Sequence, residues 1–128
     1  ENKKTFTNFF KKINLIKKDT NELISSILNK GKIIHGYGAS TKGNVILQYF
    51  NIDNKQIKFI SVRNPFKNNR YTPGTKIKII SESKSRKIKP DFYFVLPWHF
   101  KKEILIREKK IRKKGTKFIF PLPKFQII

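Results

Sequence analysis

A glycine-rich stretch at residues 35–44, with the sequence HGYGASTKGN, holds the residues whose types and spacing best suit anion binding. It follows a short, mostly apolar segment at residues 32–34 that predicts a buried strand. It precedes residues 45–50, whose apolar spacing predicts a helix. A glycine turn between a strand and a helix directs backbone N–H groups towards a phosphate or a carboxylate. Because the spacing matches neither the dinucleotide fingerprint nor the P-loop, the turn predicts an anion site without identifying the ligand.

Two roles are open for the residues of this turn. The glycines either let the backbone approach a phosphate or permit a tight turn with close helix packing. Ser40, Thr41 and the neighbouring N–H groups would be the donors, and Lys42 would be either a phosphate ligand or a solvated helix lysine. A bulky residue in place of Gly43 is expected to abolish binding and to leave the fold largely intact. The candidate substrate- or phosphate-binding residues of the turn are Gly36, Tyr37, Gly38, Ala39, Ser40, Thr41, Lys42, Gly43 and Asn44.

The composition excludes several other classes of site. Without Cys the chain has neither a disulfide framework nor a thiolate metal site, and two His are too few for a zinc site of its own. No apolar run is long enough to cross a membrane and no secretory signal is visible, so a cytoplasmic location is expected. The 128 residues are enough for one core. The chain lacks Met and begins at Glu1, which indicates a piece of a longer polypeptide.

The chain is strongly basic, with a net charge of +22 from 30 Lys and Arg against 8 Asp and Glu. Such an excess is typical of proteins that bind nucleic acid or another polyanion. However, 25 of the 30 basic residues are Lys, whereas phosphate and base recognition favours Arg. The chain is also rich in Ile, Asn and Phe, which have A/T-rich codons, so a nucleotide bias of the genome would produce the same composition. Both explanations are open on composition alone.

The apolar spacing alternates between helices and strands along the chain. Residues 1–30 predict helix, interrupted at Asp19, with Thr20 capping a second helix and Gly31 ending it. Strands are predicted at residues 57–62, 76–80, 91–96 and 116–120, a helix at residues 100–114, and a turn or short helix at residues 81–89. This order predicts an α/β fold with a parallel sheet and helices on both faces, preceded by an N-terminal helical segment.

Four short segments follow one another in a characteristic order: YGASTKGN at 37–44, RNPFK at 63–67, YTPGT at 71–75 and LPW at 96–98. In order and spacing they resemble the C-terminal domain of S-adenosylmethionine-dependent C-methyltransferases that act on nucleotide-linked deoxysugars. The resemblance extends from about residue 9 to the C-terminus, where Gly115 and the segment PLP at 121–123 also match. It implies a Rossmann-like domain at residues 31–128, with residues 1–30 as a helical segment that packs on it.

The resemblance also implies that a larger enzyme divides its tasks between domains. The S-adenosylmethionine site and the acid–base residues are expected in a middle domain, on the same or a separate chain, and zinc in a small N-terminal module. This domain is expected to bind the nucleotide-diphosphate sugar and to help hold its pyrophosphate and base. No cofactor, metal or catalytic residue is assigned to the domain itself.

Outside the turn, the candidate binding residues are Asn64, Lys67 and Trp98. Asn64 and Lys67 follow the second strand, where open α/β sheets bind ligands, although Asn64 also fits a simple turn before Pro65. Trp98 would either stack on a base or pack against the middle domain. The family's usual acidic residue at the end of the second strand is replaced by Val62, so either the usual mode of nucleotide binding is lost or the contact with a ribose hydroxyl shifts to Asn64.

Two other functions are open. A basic nucleic-acid-binding module would use the net charge together with Phe66, Tyr71 and Trp98 as stacking groups. A Rossmann-like domain that binds a free nucleotide would act with a separate partner chain.

His35 lies within the first predicted strand, so we expect it to be a hydrogen-bonded core residue rather than a catalyst. No pairing of a nucleophile with a base is evident in the sequence.

Overall fold

The computed structural model shows a six-stranded sheet with the order β3-β2-β1-β4-β5-β6. It describes the backbone of residues 3–64 and 69–128, and their side chains from Thr7 onward. The first five strands pair in parallel, and β6 pairs antiparallel with β5. The strands are β1 Ile34–Tyr37, β2 Phe59–Val62, β3 Lys78–Ser81, β4 Phe92–Val95, β5 Lys117–Phe120 and β6 Gln126–Ile127.

Five α-helices flank the sheet in the part of the chain that the structure describes. They are α1 Lys3–Asn29, α2 Thr41–Tyr49, α3 Glu82–Ile88, α4 Lys101–Arg107 and α5 Lys109–Lys113, with a 3-10 helix at Trp98–Phe100 before α4. None of these described helices combines the length and the apolar composition that crossing a bilayer requires. The predicted segment at residues 81–89 is α3, whose first turn is capped by Ser81.

Two apolar clusters lie on opposite faces of the sheet. In β4, Phe94 belongs to one cluster and its neighbour Val95 to the other, because successive side chains of a strand point to opposite faces. The first cluster buries Ile24 of α1 and Leu47 of α2, whereas the second buries Ile104 of α4. The predicted α/β class, with helices on both faces and an N-terminal helix, is confirmed.

The edge strand β6 was not predicted, and it makes the sheet mixed rather than wholly parallel. Gln126 pairs with Phe120 after the chain reverses through residues 121–125. A strand of two residues is too short to leave an alternating pattern in the sequence. The other five strands follow the order of Rossmann folds.

Helix α1 is continuous, so the interruption predicted at Asp19 is wrong. Thr20 lies fully buried within the helix rather than capping a second one. Ile16 and Ile24 lie on either side of Thr20 and belong to the same core cluster. The packing of this apolar face of α1 against the core stabilises the helix more than local propensity does, which explains why α1 continues through Asp19. Gly31, with a φ of 74°, follows the helix as predicted.

The helix predicted at residues 100–114 is divided into α4 and α5, and the 3-10 helix ends at its first residue, Phe100. Helices α4 and α5 meet at Glu108, where φ is −99° and ψ is 23°. The carboxylate of Glu108 is buried and is hydrogen-bonded to Tyr37 and Arg86. The apolar spacing predicts one uninterrupted helix here. It does not predict the break, because it carries no information about the burial of the Glu108 carboxylate.

Candidate functional site

A cavity of about 410 Å³ lies at the carboxyl ends of β1, β2 and β4. The glycine turn contributes Gly38 and Ala39 to its wall, and the chain after β2 contributes Arg63 and Asn64. The strand order reverses here, because β2 and β3 lie on one side of β1 while β4 and β5 lie on the other. Open α/β sheets bind ligands in the crevice at this reversal point, so the cavity is the candidate functional site.

The rest of the wall combines apolar and charged side chains. Pro97 follows β4, and Phe100 and Ile104 belong to the 3-10 helix and to α4. The charged lining residues are Arg63 after β2, Glu82 at the start of α3, and Glu103 and Arg107 in α4. The cavity therefore offers an apolar surface and both signs of charge to a ligand.

Gly38 holds the turn in a conformation that disfavours other residues. Its φ is 78°, and an added Cβ would lie 3.0 Å from Cδ of Pro97. Its N–H donates to the carbonyl of Ser61 in β2 at 2.8 Å. The turn is therefore fixed between the ends of β2 and β4, with Gly38 at the cavity wall.

Gly36 and Gly43 provide close packing away from the cavity wall. A Cβ on Gly36 would lie 2.6 Å from Cγ1 of Ile60, and a Cβ on Gly43 would lie 2.7 Å from Cα of Leu96. Neither glycine lines the cavity. The expectation that a bulky residue at position 43 leaves the fold intact is wrong, because the backbone of Leu96 occupies the space that the side chain needs.

Ser40 and Asn44 use their polar groups within the fold. Oγ of Ser40 accepts a 2.9 Å hydrogen bond from the N–H of Gly43 and caps α2. Nδ2 of Asn44 donates to the carbonyl of Pro73 at 2.9 Å, and its Oδ1 accepts from the hydroxyl of Thr75 at 2.6 Å. Asn44 therefore fastens α2 to the loop of residues 71–76.

The cavity brings together only part of the predicted site. Thr41 and Lys42 are exposed at the start of α2 and do not line it. Lys67 lies outside the described residues. The predicted site residues that line the cavity are Tyr37, Gly38, Ala39 and Asn64.

Trp98 and Phe100 share the 3-10 helix but have different surroundings. Trp98 is half-buried, packs against the second apolar cluster and does not line the cavity. Phe100 is 53% exposed and lines the cavity. Of the two described aromatic side chains that line the cavity, Tyr37 is buried and Phe100, which the sequence pattern did not single out, is exposed.

Ionic hydrogen bonds fix the charged groups beside the cavity. The carboxylate of Glu82 accepts from Nη2 of Arg107 and, at 3.1 Å, from Nη2 of Arg86. Nη2 of Arg86 also donates to both carboxylate oxygens of Glu108, at 2.7 and 2.9 Å. The hydroxyl of Tyr37 accepts from Nη1 of Arg107 at 2.8 Å and donates to Oε2 of Glu108 at 2.5 Å. These five side chains form a closed network, which we call the Tyr37 network.

The Tyr37 network keeps its phenol protonated. Burial raises the pKa of Tyr37, and the hydrogen bond and the charge of Glu108 raise it further. The phenol therefore remains a donor to the carboxylate across the physiological range of pH. A partial signal for the network exists in the sequence, since Glu82 and Arg86 lie four residues apart on one helix. Nothing local links them to Tyr37 or Glu108.

His35 belongs to a separate buried chain of hydrogen bonds. Its Nδ1 lies 2.7 Å from Oγ of Ser85, which lies 2.7 Å from the hydroxyl of Tyr93. Burial lowers the pKa of His35 to about 4, so the imidazole is neutral near pH 7. His35 is thus a hydrogen-bonded core residue, as predicted. Within the described residues, no group of three or more His, Asp or Glu side chains is arranged to hold a metal ion.

Residues 1–123 match the C-methyltransferase C-terminal domain family. The C-methyltransferase NovU of Streptomyces niveus is 34% identical over 107 residues, which make up 84% of this chain and 26% of NovU. This chain thus spans about a quarter of the length of that relative. On these matches, the chain belongs to the C-methyltransferase C-terminal domain family.

Proposed function

We propose that this domain binds the nucleotide-linked sugar substrate of an S-adenosylmethionine-dependent C-methyltransferase. The methyl-donor site would lie in another domain, on the same or a separate chain. The observation that carries the proposal is the cavity at the reversal point between β1 and β4, with the glycine turn in its wall. Its volume of about 410 Å³ is within the range of small-molecule sites. Membership of a methyltransferase-associated family supports the same role.

Two arginines are suited to meet the diphosphate. The side chain of Arg63 is 72% exposed, and its Nε lies 3.9 Å from Oε2 of Glu82, so this ion pair is loose. Arg107 is held at the cavity wall by Glu82 and Tyr37, so its guanidinium is already positioned there, with its charge partly compensated by Glu82. We assign the phosphates to this side of the cavity. The net charge of +22 adds a long-range attraction for an anionic ligand.

Calorimetric titration of the chain with UDP-glucose and dTDP-glucose tests the proposal. We expect saturable binding that Arg63→Ala weakens roughly tenfold, because a charge-assisted contact with phosphate is lost. Arg70→Ala is the matched control, since it removes the same charge from an exposed arginine that does not line the cavity. Equal weakening by the two variants, or no binding by the unaltered chain, would contradict the proposal.

The methyl donor provides a second titration. We expect S-adenosylmethionine to release no heat of binding when added to this chain, because the proposed role is confined to the substrate. Saturable binding of the donor by the isolated chain would show that the division of tasks between domains is wrong.

A further inference from the structure

We infer that Phe100 is the surface on which the nucleobase of the ligand stacks, an inference that rests on the proposed function. Phe100 ends the 3-10 helix after β4 and is 53% exposed. It lines the cavity together with the apolar side chains of Pro97 and Ile104. A half-exposed aromatic ring in a cavity wall suits this role, because stacking depends on the π-face that every base has.

The neighbouring aromatic residues do not compete with Phe100 for a base, and Tyr37, which also lines the cavity, is buried. Trp98 packs against the second apolar cluster and does not line the cavity. The ring of His99 lies 4.3 Å from the ring of Phe100, centroid to centroid, at an interplanar angle of 44°. The contact with His99 supports the Phe100 ring, and the large exposed fraction leaves the rest of its surface to a ligand.

The helical surface that lines the cavity begins at the aromatic Phe100, continues through Glu103 and Ile104, and ends at the cationic Arg107. Phe100, Ile104 and Arg107 are spaced by four and three residues, and all three line the cavity. Seven residues of helix span roughly 10 Å, a distance comparable with the length of a nucleotide. Arg107 and Arg63 both pair with Glu82, so the two arginines lie at the same end of the cavity. This arrangement assigns the base to the Phe100 end and the phosphates to the arginine end.

The experiment compares two ligands that differ by the base alone, uridine 5′-monophosphate and ribose 5-phosphate. NMR titration gives the Kd of each for the unaltered chain and for Phe100→Ala. We expect Phe100→Ala to raise the Kd of the monophosphate roughly tenfold and to change the Kd of ribose 5-phosphate by less than about twofold. Phe100→Trp should retain the affinity for the monophosphate, since it keeps an aromatic surface.

Two further variants complete the comparison. Ile106→Ala is the matched control, because Ile106 is 71% exposed on α4 and does not line the cavity; neither Kd should change. Arg63→Ala should raise the Kd of both ligands equally, since both carry the phosphate. If Phe100→Ala weakens both ligands equally or neither of them, the stacking role is overturned while the proposed function stands. If the unaltered chain binds neither ligand nor a nucleotide sugar, both are overturned.

Discussion

The hydroxyl of Tyr37 donates a 2.5 Å hydrogen bond to Oε2 of Glu108, whose side chain is 3% exposed. Tyr37 ends β1 immediately before the glycine turn, and Glu108 stands at the junction of α4 and α5. This hydrogen bond therefore joins the turn to the helical segment that carries Phe100 and Arg107 into the cavity. A buried carboxylate is tolerated when it is paired and hydrogen-bonded, and the Tyr37 network meets both conditions.

Replacing Tyr37 by Phe tests this connection. The ring would keep its packing, while Glu108 would lose a donor and Arg107 an acceptor. We expect the free energy of unfolding, measured with urea, to fall by about 1–3 kcal/mol. Tyr49→Phe is the control, because its hydroxyl donates to Asn14 at an exposed position, and a change below about 0.5 kcal/mol is expected there. Equal losses in the two variants would show that the buried hydrogen bond has no special weight.

Gly43→Ala should destabilise the fold although alanine favours helices. The new Cβ would meet the backbone of Leu96 at 2.7 Å, and backbone atoms cannot turn aside as a flexible side chain can. We expect a strain of about 1–3 kcal/mol against a gain of about 1 kcal/mol in helix propensity, and hence a net loss of up to about 2 kcal/mol. Val45→Ala, at a position of α2 that is 53% exposed, is the control and should change stability little. A Gly43 variant as stable as the unaltered chain would contradict the packing role.

The stability of the chain should depend on pH through His35. Burial lowers the pKa of His35 from 6.5 to about 4 in the folded chain. Between these values the unfolded chain binds a proton that the folded chain does not, so the free energy of unfolding falls as the pH falls from 6.5 to about 4. The loss in the free energy of unfolding reaches about 3 kcal/mol at the acid end of this range and is absent above pH 6.5.

Urea unfolding of the unaltered chain and of His35→Gln, from neutral pH to about pH 4.5, measures that dependence. The variant loses a buried contact with Ser85 and should be less stable at neutral pH. Its free energy of unfolding should nevertheless vary less steeply with pH, because the titrating imidazole is gone. Parallel pH profiles for the two proteins would rule out His35 as the source.

The fold class could be predicted because it depends on local patterns. Alternating segments such as residues 57–62 and 91–96 lie in or overlap strands, and the glycine turn lies between β1 and α2. The break at Glu108 could not be predicted, since it accompanies hydrogen bonds to Tyr37 and Arg86 from distant segments. Long-range pairing of this kind leaves no periodic signal.

The candidate site was predictable only where one segment builds it. Residues 37–39, at the end of β1 and in the turn, were identified from their own sequence, but Phe100, Glu82 and Arg107 reach the cavity from other elements. For the glycines, the sequence could not distinguish a ligand contact from close packing, because both need the absence of a side chain. The neighbouring atoms distinguish them: Gly43 faces the backbone of Leu96, whereas Gly38 lies at the cavity wall.

The distribution of lysines bears on the nucleic-acid alternative. Exposed lysines occur on helices of both faces of the sheet and at strand ends, as at Lys18 in α1, Lys58 before β2, Lys84 in α3 and Lys110 in α5. These elements do not share one surface, so the positive charge is spread over several surfaces of the domain. A second cavity is lined by the basic residues Arg86, Lys89, Lys110 and Lys114. Of the lysines that the structure describes, none lines the candidate site.

We therefore expect nucleic acid to bind weakly and without sequence preference. Fluorescence anisotropy with single-stranded and duplex oligonucleotides should show binding at about 50 mM salt that largely disappears at about 150 mM, because such binding depends on counterion release. Binding of UDP-glucose should fall much less over the same range, since it depends on a few fixed contacts within the cavity. Oligonucleotides of equal length and different sequence serve as the control. Tight, sequence-selective binding at the higher salt concentration would favour the nucleic-acid function over the nucleotide-sugar one.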